Sequence, residues 1–263
     1  MRWLQLAATD FEKALREAKG VALIPVGSIE IHGPHLPVGC DTLVVERLVD
    51  MVAEREPVVI APAMAYTIAP VARLHPGGIS LPGEMLVEHL LKVCDELARN
   101  GFKKIILVHA HGGNTPMHPM TLMTALDRAK PYSLYSIPPL AGASEAIAKL
   151  KETAETGHAC EIETSIALYL FPHLCHMDRV RGKVYPRQRD LDVGPAGTPV
   201  DWAVNYPHYA VGDASKATAE KGKKIMEAWA DSVAAVVRKV KKDKVVQRTM
   251  ARFRRLLSPP RSW

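Results

Sequence analysis

A loop near the N-terminus contains side chains of the types that bind transition metals. Glu30 and His32 lie two residues apart in a segment rich in Gly and Pro, and Asp41 follows that segment. Carboxylate oxygens and imidazole nitrogens are ligands that suit zinc, manganese and iron. Two such ligands on an extended segment can contact two neighbouring ions, and one Asp can give an oxygen to each ion. The loop therefore predicts a metal site.

Each of these residues also has an ordinary structural explanation. Glu30 could pair with a Lys or Arg, and His32 could bond a backbone carbonyl. Asp41 precedes an apolar stretch that begins at Leu43, where an Asp commonly caps a helix N-terminus. Metal ligation is the preferred interpretation because Asp41 lies only eleven residues after Glu30 and nine after His32.

A second polar segment follows a later apolar run. His111 precedes Gly112, Gly113 and Asn114. The two glycines let a substrate or metal approach the backbone closely, and their N–H groups can stabilise a developing oxyanion. His109, two residues earlier, fits a role in the core or behind the ligands at least as well as metal ligation.

A third segment combines a histidine with two carboxylates. An unperturbed His has a pKa near neutrality, so His158 suits proton transfer to a leaving nitrogen, with Glu163 acting through it. Glu161 and Glu163 also open a predicted helix, whose macrodipole stabilises carboxylates in its first turn. Cys40 and Cys160 flank these segments and could serve as soft metal ligands, but the preferred interpretation is that both are small buried thiols packed behind the site.

Length and composition favour one α/β domain spanning residues 1–263, because 263 residues that are 48% hydrophobic can bury one large core. No apolar run reaches the roughly 18 residues of a membrane span, and no signal sequence is recognisable. The four cysteines form no CxxC pair, which favours reduced thiols. We therefore expect a cytoplasmic protein without a membrane partner.

The positive charge is concentrated at the C-terminus. Residues 238–263 contain ten Lys and Arg against one Asp, or +9, which leaves −3 for the rest of a chain whose net charge is +6. This basic tail could bind nucleic acid or an acidic surface. A solvated helix end with a frayed terminus is preferred over a nucleic acid partner as the interpretation.

Apolar runs alternate with helical periodicity along the chain, which predicts a mostly parallel sheet covered by helices on both faces. The runs predict strands at 21–27, 58–62, 104–110 and 133–137. The periodicity predicts helices at about 10–18, 42–55, 84–99, 117–129, 143–155, 161–171 and 215–242. Functional loops of such sheets follow the carboxyl ends of strands, and Glu30 and His111 both do.

At these residues the chain resembles the creatininase (creatinine amidohydrolase) family. The resemblance extends over roughly residues 20–225. Its motifs are Gly27–Pro37 with Asp41-Thr42, His75-Pro76-Gly77 with Ile79-Ser80-Leu81, His111–Asn114, Gly157-His158-Ala159 with Glu161–Ser165, and Gly212-Asp213 with Ala217–Gly222.

The resemblance implies a three-layer α/β/α sandwich, two divalent metal ions (Zn, Mn or Fe) and often a homo-hexamer. By motif position, Glu30, Asp41 and His111 would hold one ion, and His32 and Asp41 the other. Creatininase completes the second ion with a Glu at the position of Gly113, so the resemblance implies that Glu161 replaces it. The substrate would contact Gly112, Gly113, Asn114 and, in its own motif, His75.

The implied reaction is hydrolysis of a non-peptide C–N bond by a hydroxide that bridges the two ions. The His-Gly-Gly-Asn form and Glu161 are similar to the branch with formamide deformylases and the mycofactocin peptidase. No Trp lies between Trp3 and Trp202 to close over a flat ring. We therefore expect little creatinine hydrolysis and better activity on a linear or exocyclic amide such as a formamide.

Three other functions remain open. The chain could be creatinine amidohydrolase proper, or a non-catalytic binding protein that keeps a metal-stabilised fold. It could also be an oxygenase with one iron on a His-His-carboxylate face, although the number of carboxylates fits a two-metal hydrolase better.

Overall fold

The computed structural model describes residues 1–188 and 191–257, and a four-stranded parallel sheet lies at its centre. The strands are β1 (Val21–Val26), β2 (Val59–Ile60), β3 (Lys104–His109) and β4 (Ser133–Ile137). Their order across the sheet is β2-β1-β3-β4, with Val21 opposite Lys104 and Lys104 opposite Ser133.

Helices surround this sheet. They are α1 (Phe11–Glu17), α2 (Cys40–Arg55), α3 (Gly83–Arg99), α4 (Met117–Asp127), α5 (Ser144–Leu150), α6 (Glu161–Leu170), α7 (Asp201–Asn205), α8 (Ala219–Lys242) and α9 (Val245–Leu257). Short 3₁₀ turns include Pro70–Leu74 and Gly112–Asn114. Within the described ranges, none of the helices combines the length and hydropathy that crossing a bilayer requires.

Both faces of the sheet are apolar because successive strand residues point to opposite sides. Val21 and Leu23 of β1 pack with the buried sides of α2, α6 and α8. Ala22 and Ile24 face the opposite layer, which includes α1 and α3. The predicted α/β/α sandwich with a parallel sheet is confirmed.

Helix α8 packs closely against α6 at a glycine. A Cβ at Gly222 would collide with the carbonyl oxygen of Ser165, so only Gly permits this approach. Thr218 precedes α8, accepts a hydrogen bond from the backbone N–H of Lys221, and donates its own N–H to the Ser165 hydroxyl. Helix α6, which carries Glu161 and Glu163, is thus held closely against α8.

Several predicted elements have different bounds in the structure. The strand predicted at 58–62 covers only Val59–Ile60, and the helix predicted at 215–242 begins at Ala219. The helix predicted at 143–155 ends at Leu150, because the backbone N–H groups of Glu152 and Thr153 donate to the Glu161 carboxylate instead of to a helix.

Residues 245–257 of the basic tail form α9, a mostly exposed helix that the apolar periodicity did not predict. Asp243 accepts hydrogen bonds from the N–H groups of Val245 and Val246 and thereby starts this helix. Lys104 donates to three carbonyls at the end of α8. Residues 258–263 of the tail lie outside the described residues.

Candidate metal centre

The first and second polar segments meet because they follow neighbouring parallel strands. Glu30 and His32 lie in the loop after β1, and His111 lies directly beyond the end of β3, which pairs with β1. Asp41 is in the first turn of α2, and the N-cap residue of this helix is Gly39. The Asp41 carboxylate faces the histidines.

Asp41, Glu30 and His111 form one group of potential ligands. Nδ1 of His111 lies 2.8 Å from Oε1 of Glu30 and 3.0 Å from Oδ2 of Asp41. All three residues are buried. Ser28 donates its hydroxyl to the same Asp41 oxygen at 2.7 Å, which orients the carboxylate.

Asp41, His32 and Glu163 form a second group. Nε2 of His32 lies 3.2 Å from Oδ1 of Asp41 and 3.9 Å from Oε2 of Glu163. The ligand atoms of each group lie within 4.8 Å of one another. Because Asp41 belongs to both groups and turns a different oxygen to each, its carboxylate can bridge two ions.

The two histidines are held in the orientation that ligation requires. His111 donates from Nε2 to the carbonyl of Ile68 at 3.0 Å, and His32 donates from Nδ1 to the carbonyl of Glu30 at 3.2 Å. In a neutral imidazole the other nitrogen then carries the lone pair. That nitrogen faces the carboxylates in both cases, as in metal sites where the second nitrogen bonds a backbone carbonyl.

His158 adds a third imidazole at the same place. Nε2 donates to the carbonyl of Ile31 at 2.5 Å, and Nδ1 lies 3.7 Å from Glu30 and 3.9 Å from Glu163. The rings of His158 and His32 lie 4.3 Å apart. Burial and the neighbouring His32 lower the pKa of His158 to about 4, so its Nδ1 is an acceptor at neutral pH. Its position also allows it to complete a group with Glu30 and His32.

The carboxylates of this cluster need cations nearby to balance their negative charge. No ion pair among residues 1–188 and 191–257 joins a Lys or Arg to Glu30, Asp41 or Glu163. Burial alone would lower the pKa of His32, but the carboxylates around it, above all Asp41, raise it to about 10. Lone pairs of His32 and His111 face carboxylate oxygens, which is stable only with a proton or a metal ion between them. The donor set therefore fits two divalent ions.

Glu161 does not reach this cluster, which corrects the ligand assignment implied by the resemblance. Its carboxylate is fully buried and pairs with Lys221 at 2.6 Å. It also accepts hydrogen bonds from both Thr153 groups, N–H and hydroxyl. Burial would raise the pKa of Glu161, but Lys221 and Thr153 hold it below its ordinary value. The nearby Glu163 occupies the place at the cluster that Glu161 was expected to take.

A family model described as creatininase, creatinine amidohydrolase, matches residues 4–237. The chain belongs to the creatininase family. It is 30% identical over 243 residues to 3-dehydro-scyllo-inosose hydrolase of Thermotoga maritima, a match that covers 83% of this chain and 76% of the relative. It is 26% identical to creatinine amidohydrolase of Pseudomonas putida, a match that covers 89% of this chain and 95% of that relative. The relatives are hydrolases, and this chain is a creatininase-family hydrolase.

A solved structure of the family supports the fold. The structure described as creatininase Mn superposes with a TM-score of 0.80 at 24% identity, covering 92% of this chain and 99% of that one. Similarity at this level establishes the shared α/β/α architecture.

The glycines of the creatininase-family His-Gly-Gly-Asn motif have separate roles. A Cβ at Gly113 would collide with the imidazole of His111, so Gly is needed there for the orientation of that ring. A Cβ at Gly112 would meet nothing within 4 Å, so Gly112 leaves open space beside the site. Asn114 is fully buried and donates to the carbonyl of Gly27 at 3.1 Å. Asn114 thus fixes the loop after β1, and its predicted contact with substrate does not fit this burial.

Other residues near the site act through neighbours. His75 lies edge-on to Tyr209, with ring centres 5.2 Å apart, rather than in the cluster. His109 turns away and packs against His118, with ring centres 3.7 Å apart. Cys40 and Cys160 are buried free thiols, and burial raises the pKa of Cys160 to about 11.

Sequence reasoning missed several contacts. Tyr209 donates its hydroxyl to Glu30 at 3.3 Å, and no residue pattern around it indicates this role. Trp202 lies edge-on to His158, 5.4 Å between ring centres, and packs on Tyr209 at 4.5 Å. Trp202, the first Trp after Trp3, thus brings an aromatic ring beside His158.

Replacing Lys221 by Met should destabilise the fold, because it leaves the buried Glu161 carboxylate without its cation. Loss of one partner of a buried pair costs about 3–5 kcal/mol. The pKa of Glu161 is held below its ordinary 4.5, so the pair stabilises the fold above that pH and its contribution is lost as the pH falls. Denaturant unfolding at pH 7 and pH 4 measures both effects.

Lys224 is the matched control for this change. It pairs with Glu220 on the exposed side of the same helix, where such pairs contribute little. Lys224→Met should unfold within about 0.5 kcal/mol of the parent. Equal losses in the two variants would contradict a buried role for Lys221.

Proposed function

We propose that this chain is a metal-dependent amidohydrolase that cleaves a non-peptide C–N bond in a small amide. The single observation that carries the proposal is the position of the Asp41 carboxylate between two histidines. Its Oδ1 faces His32 at 3.2 Å and its Oδ2 faces His111 at 3.0 Å. A buried carboxylate shared by two imidazoles has the geometry of a ligand that bridges two ions.

Glu30, Asp41 and His111 would hold one ion, and His32, Asp41 and Glu163 the other. Zinc and manganese are the preferred candidates, because the names of solved creatininases include Mn and Zn. Iron suits the same ligands. When bound, such ions lower the pKa of a shared water toward neutrality and polarise a carbonyl oxygen.

His158 would move the proton. The water oxygen adds to the amide carbon, and one water proton passes to Nδ1 of His158, which is neutral at pH 7. The same nitrogen then gives the proton to the departing nitrogen, and the C–N bond breaks to leave a carboxylic acid and an amine, and the acid then loses the second water proton to solvent or to the amine. The Ile31 carbonyl holds the opposite side of the ring in place throughout.

His158→Ala should lower turnover by about 10²–10⁴-fold while both ions stay bound, because the residue acts on a proton. Metal content and steady-state rate are measured on the same preparation. His89→Ala, an exposed change on α3, serves as control and should match the parent. Loss of an ion from His158→Ala would instead make His158 a ligand, in the group it forms with Glu30 and His32.

Creatinine should be a poorer substrate than a formamide carried on a small polar ring, because the absence of a side chain at Gly112 leaves an open wall that would not hold a flat lactam ring in place. Trp202 covers only the His158 side of the site. The values of kcat/KM for creatinine, N-(3-oxocyclopentyl)formamide and 3-dehydro-scyllo-inosose should be compared with defined metals. A highest value for creatinine would make the chain a creatinine amidohydrolase proper.

Metal removal separates the proposal from its alternatives. The chelated protein should lose amide hydrolysis and regain it at two equivalents of Zn or Mn, with no change in redox state of any reactant. Full activity at one iron per chain with consumption of oxygen would favour an oxygenase. Metal binding without turnover of any amide or ketone would favour a binding protein. The homo-oligomer implied by the family belongs to the same proposal, and sedimentation tests it.

A further inference from the structure

A buried tyrosine from a segment that supplies no ligand contacts the proposed metal centre. Tyr209 is 3% exposed and donates its hydroxyl to Oε2 of Glu30 at 3.3 Å. Burial and the Glu30 carboxylate raise the pKa of Tyr209 above its ordinary value, so the hydroxyl keeps its proton at neutral pH. A buried Tyr hydroxyl usually has a hydrogen-bond partner, and among the described residues Glu30 is the acceptor for this one.

The two oxygens of Glu30 have different neighbours. Oε1 lies 2.8 Å from Nδ1 of His111 and 3.7 Å from Nδ1 of His158. Oε2 accepts from the Tyr209 hydroxyl. Because the two oxygens belong to one rigid carboxylate, a hydrogen bond to Oε2 also fixes the direction of Oε1. Oε1 is the oxygen that faces the imidazole of His111, with which Glu30 would hold an ion.

The backbone around Tyr209 is hydrogen-bonded to both loops that carry these side chains. Its carbonyl accepts from the N–H of Gly33 at 2.9 Å, in the loop after β1. Two residues later, the N–H of Val211 donates to the carbonyl of His158 at 2.8 Å. The position of the Tyr209 hydroxyl relative to the Glu30 carboxylate is therefore set by main-chain contacts.

Tyr209 also adopts a backbone conformation that large side chains rarely adopt. Its φ is 53°, in the left-handed region. Lys19 and Ala129 have similar φ values, but each lies two residues after the last residue of a helix, where this conformation is common. Tyr209 lies four residues beyond the end of α7, so helix termination does not explain it. Unfavourable conformations of this kind cluster at functional sites.

The ring of Tyr209 packs against three other rings. The distances between ring centres are 4.5 Å to Trp202, 5.1 Å to His158 and 5.2 Å to His75. Phe at this position keeps a ring of the same shape and removes only the hydroxyl. The substitution Tyr209→Phe therefore separates the hydrogen bond to Glu30 from the packing of the ring.

We propose that Tyr209 is a positioning residue of the metal centre: its hydroxyl holds Oε2 of Glu30 and thereby directs Oε1 toward the ion that Glu30 would share with Asp41 and His111. The inference rests on the proposed function, which supplies that ion. Hydrogen-bond partners of metal ligands typically contribute about 10–100-fold to metal affinity or activity.

Tyr209→Phe should weaken the binding of one of the two Zn²⁺ ions by about 10–100-fold and leave the affinity for the other ion as in the parent. Competition with a chromophoric chelator measures both affinities on the demetallated protein, and circular dichroism on the same sample reports the fold. With enough zinc to fill both sites, kcat should return close to that of the parent. Unchanged affinities for both ions would overturn the proposal.

Tyr135→Phe is the matched control. Tyr135 donates its hydroxyl to the carboxylate of Asp243 at 2.8 Å, so this variant also removes one hydrogen bond from Tyr to a carboxylate. Lys104, the first residue of β3, donates to the carbonyl of Asp243, whereas His111 follows the last residue of β3. The control therefore lies at the opposite end of the sheet, and it should keep both zinc affinities of the parent.

Cobalt gives a readout that does not involve turnover. The visible absorption of bound Co²⁺ depends on the arrangement of its ligand atoms. The spectrum of the cobalt-loaded protein should change in Tyr209→Phe and stay the same in Tyr135→Phe. An unchanged spectrum in Tyr209→Phe would overturn the proposal, because a tyrosine that serves only in packing does not alter the ligands.

A measurement on the parent protein requires no variant at position 209 to fold. Zn²⁺ added to the demetallated protein with ¹³C-labelled tyrosine should shift the Cζ resonance of Tyr209 and leave that of Tyr135 in place. Absence of a shift at Tyr209 when zinc is saturating would overturn the assignment.

The outcomes distinguish this assignment from the proposed function. Selective weakening of one ion in Tyr209→Phe, with no turnover of any amide by the parent, would support the role of Tyr209 and contradict the amidohydrolase proposal. Amide turnover by the parent, with equal zinc affinities in parent and Tyr209→Phe, would overturn only the role of Tyr209. A kcat that stays low in Tyr209→Phe with both sites filled would make Tyr209 a catalytic residue and would also overturn the positioning role.

Discussion

Replacing Asp41 by Asn should lower the metal content from two ions per chain to one or none, while the protein stays folded. Asn keeps the size of the side chain and the hydrogen bond from Ser28, but loses the charge that both proposed ions share. Turnover should fall by at least about 10²-fold, the lower end of losses for groups acting directly in catalysis. Metal analysis after dialysis, with circular dichroism on the same sample, measures the result.

Asp50→Asn provides the matched control on the same helix. Its carboxylate accepts from Arg2 at 2.7 Å on the partly exposed side of α2, away from the cluster. This variant should keep two ions and the turnover of the parent. Retention of two equally tight ions in Asp41→Asn would exclude the bridging role.

Glu163→Gln should abolish most turnover, whereas Glu161→Gln should mainly destabilise the fold. Glu163 faces His32 and His158, and burial raises the pKa of its carboxyl to about 7, so a nearby cation is needed to keep it ionised at neutral pH. A loss of about 10²–10⁴-fold is expected, with weaker retention of one ion.

Glu161→Gln should instead keep both ions and lose roughly 1–3 kcal/mol of unfolding free energy, because its partners are Lys221 and Thr153. Metal titration and denaturant unfolding of the two variants together decide between the residues. The opposite pattern, with metal loss in Glu161→Gln alone, would restore the ligand implied by the family resemblance.

The position of most helices and of all four strands followed from apolar periodicity, because each element buries one face or both faces in the apolar layers on the two sides of the sheet. The meeting of Glu30 and His111 also followed, since the loops after neighbouring parallel strands share an edge of the sheet. The proximity of Glu30 and His111 was therefore predictable, because it depends only on local sequence and on the order of the strands.

The choice between Glu161 and Glu163 did not follow from sequence. Positions two apart on a helix point in nearly opposite directions, so only one of these carboxylates can face the cluster. Which one does so depends on where α8 brings Lys221, sixty residues later in the chain. The same limit applies to Trp202 and Tyr209, which reach the site through long-range contacts without any periodic pattern.

The backbone contact between Gly222 of α8 and Ser165 of α6 fixes the backbone from which Glu163 reaches the cluster. Buried helix pairs open rarely, at a free energy approaching that of global unfolding. Because α6 is held against α8, the Glu163 carboxylate can leave the proposed metal centre only by rotation about its own side-chain bonds. The contact therefore limits the motion of this proposed ligand to rotamer changes of one side chain.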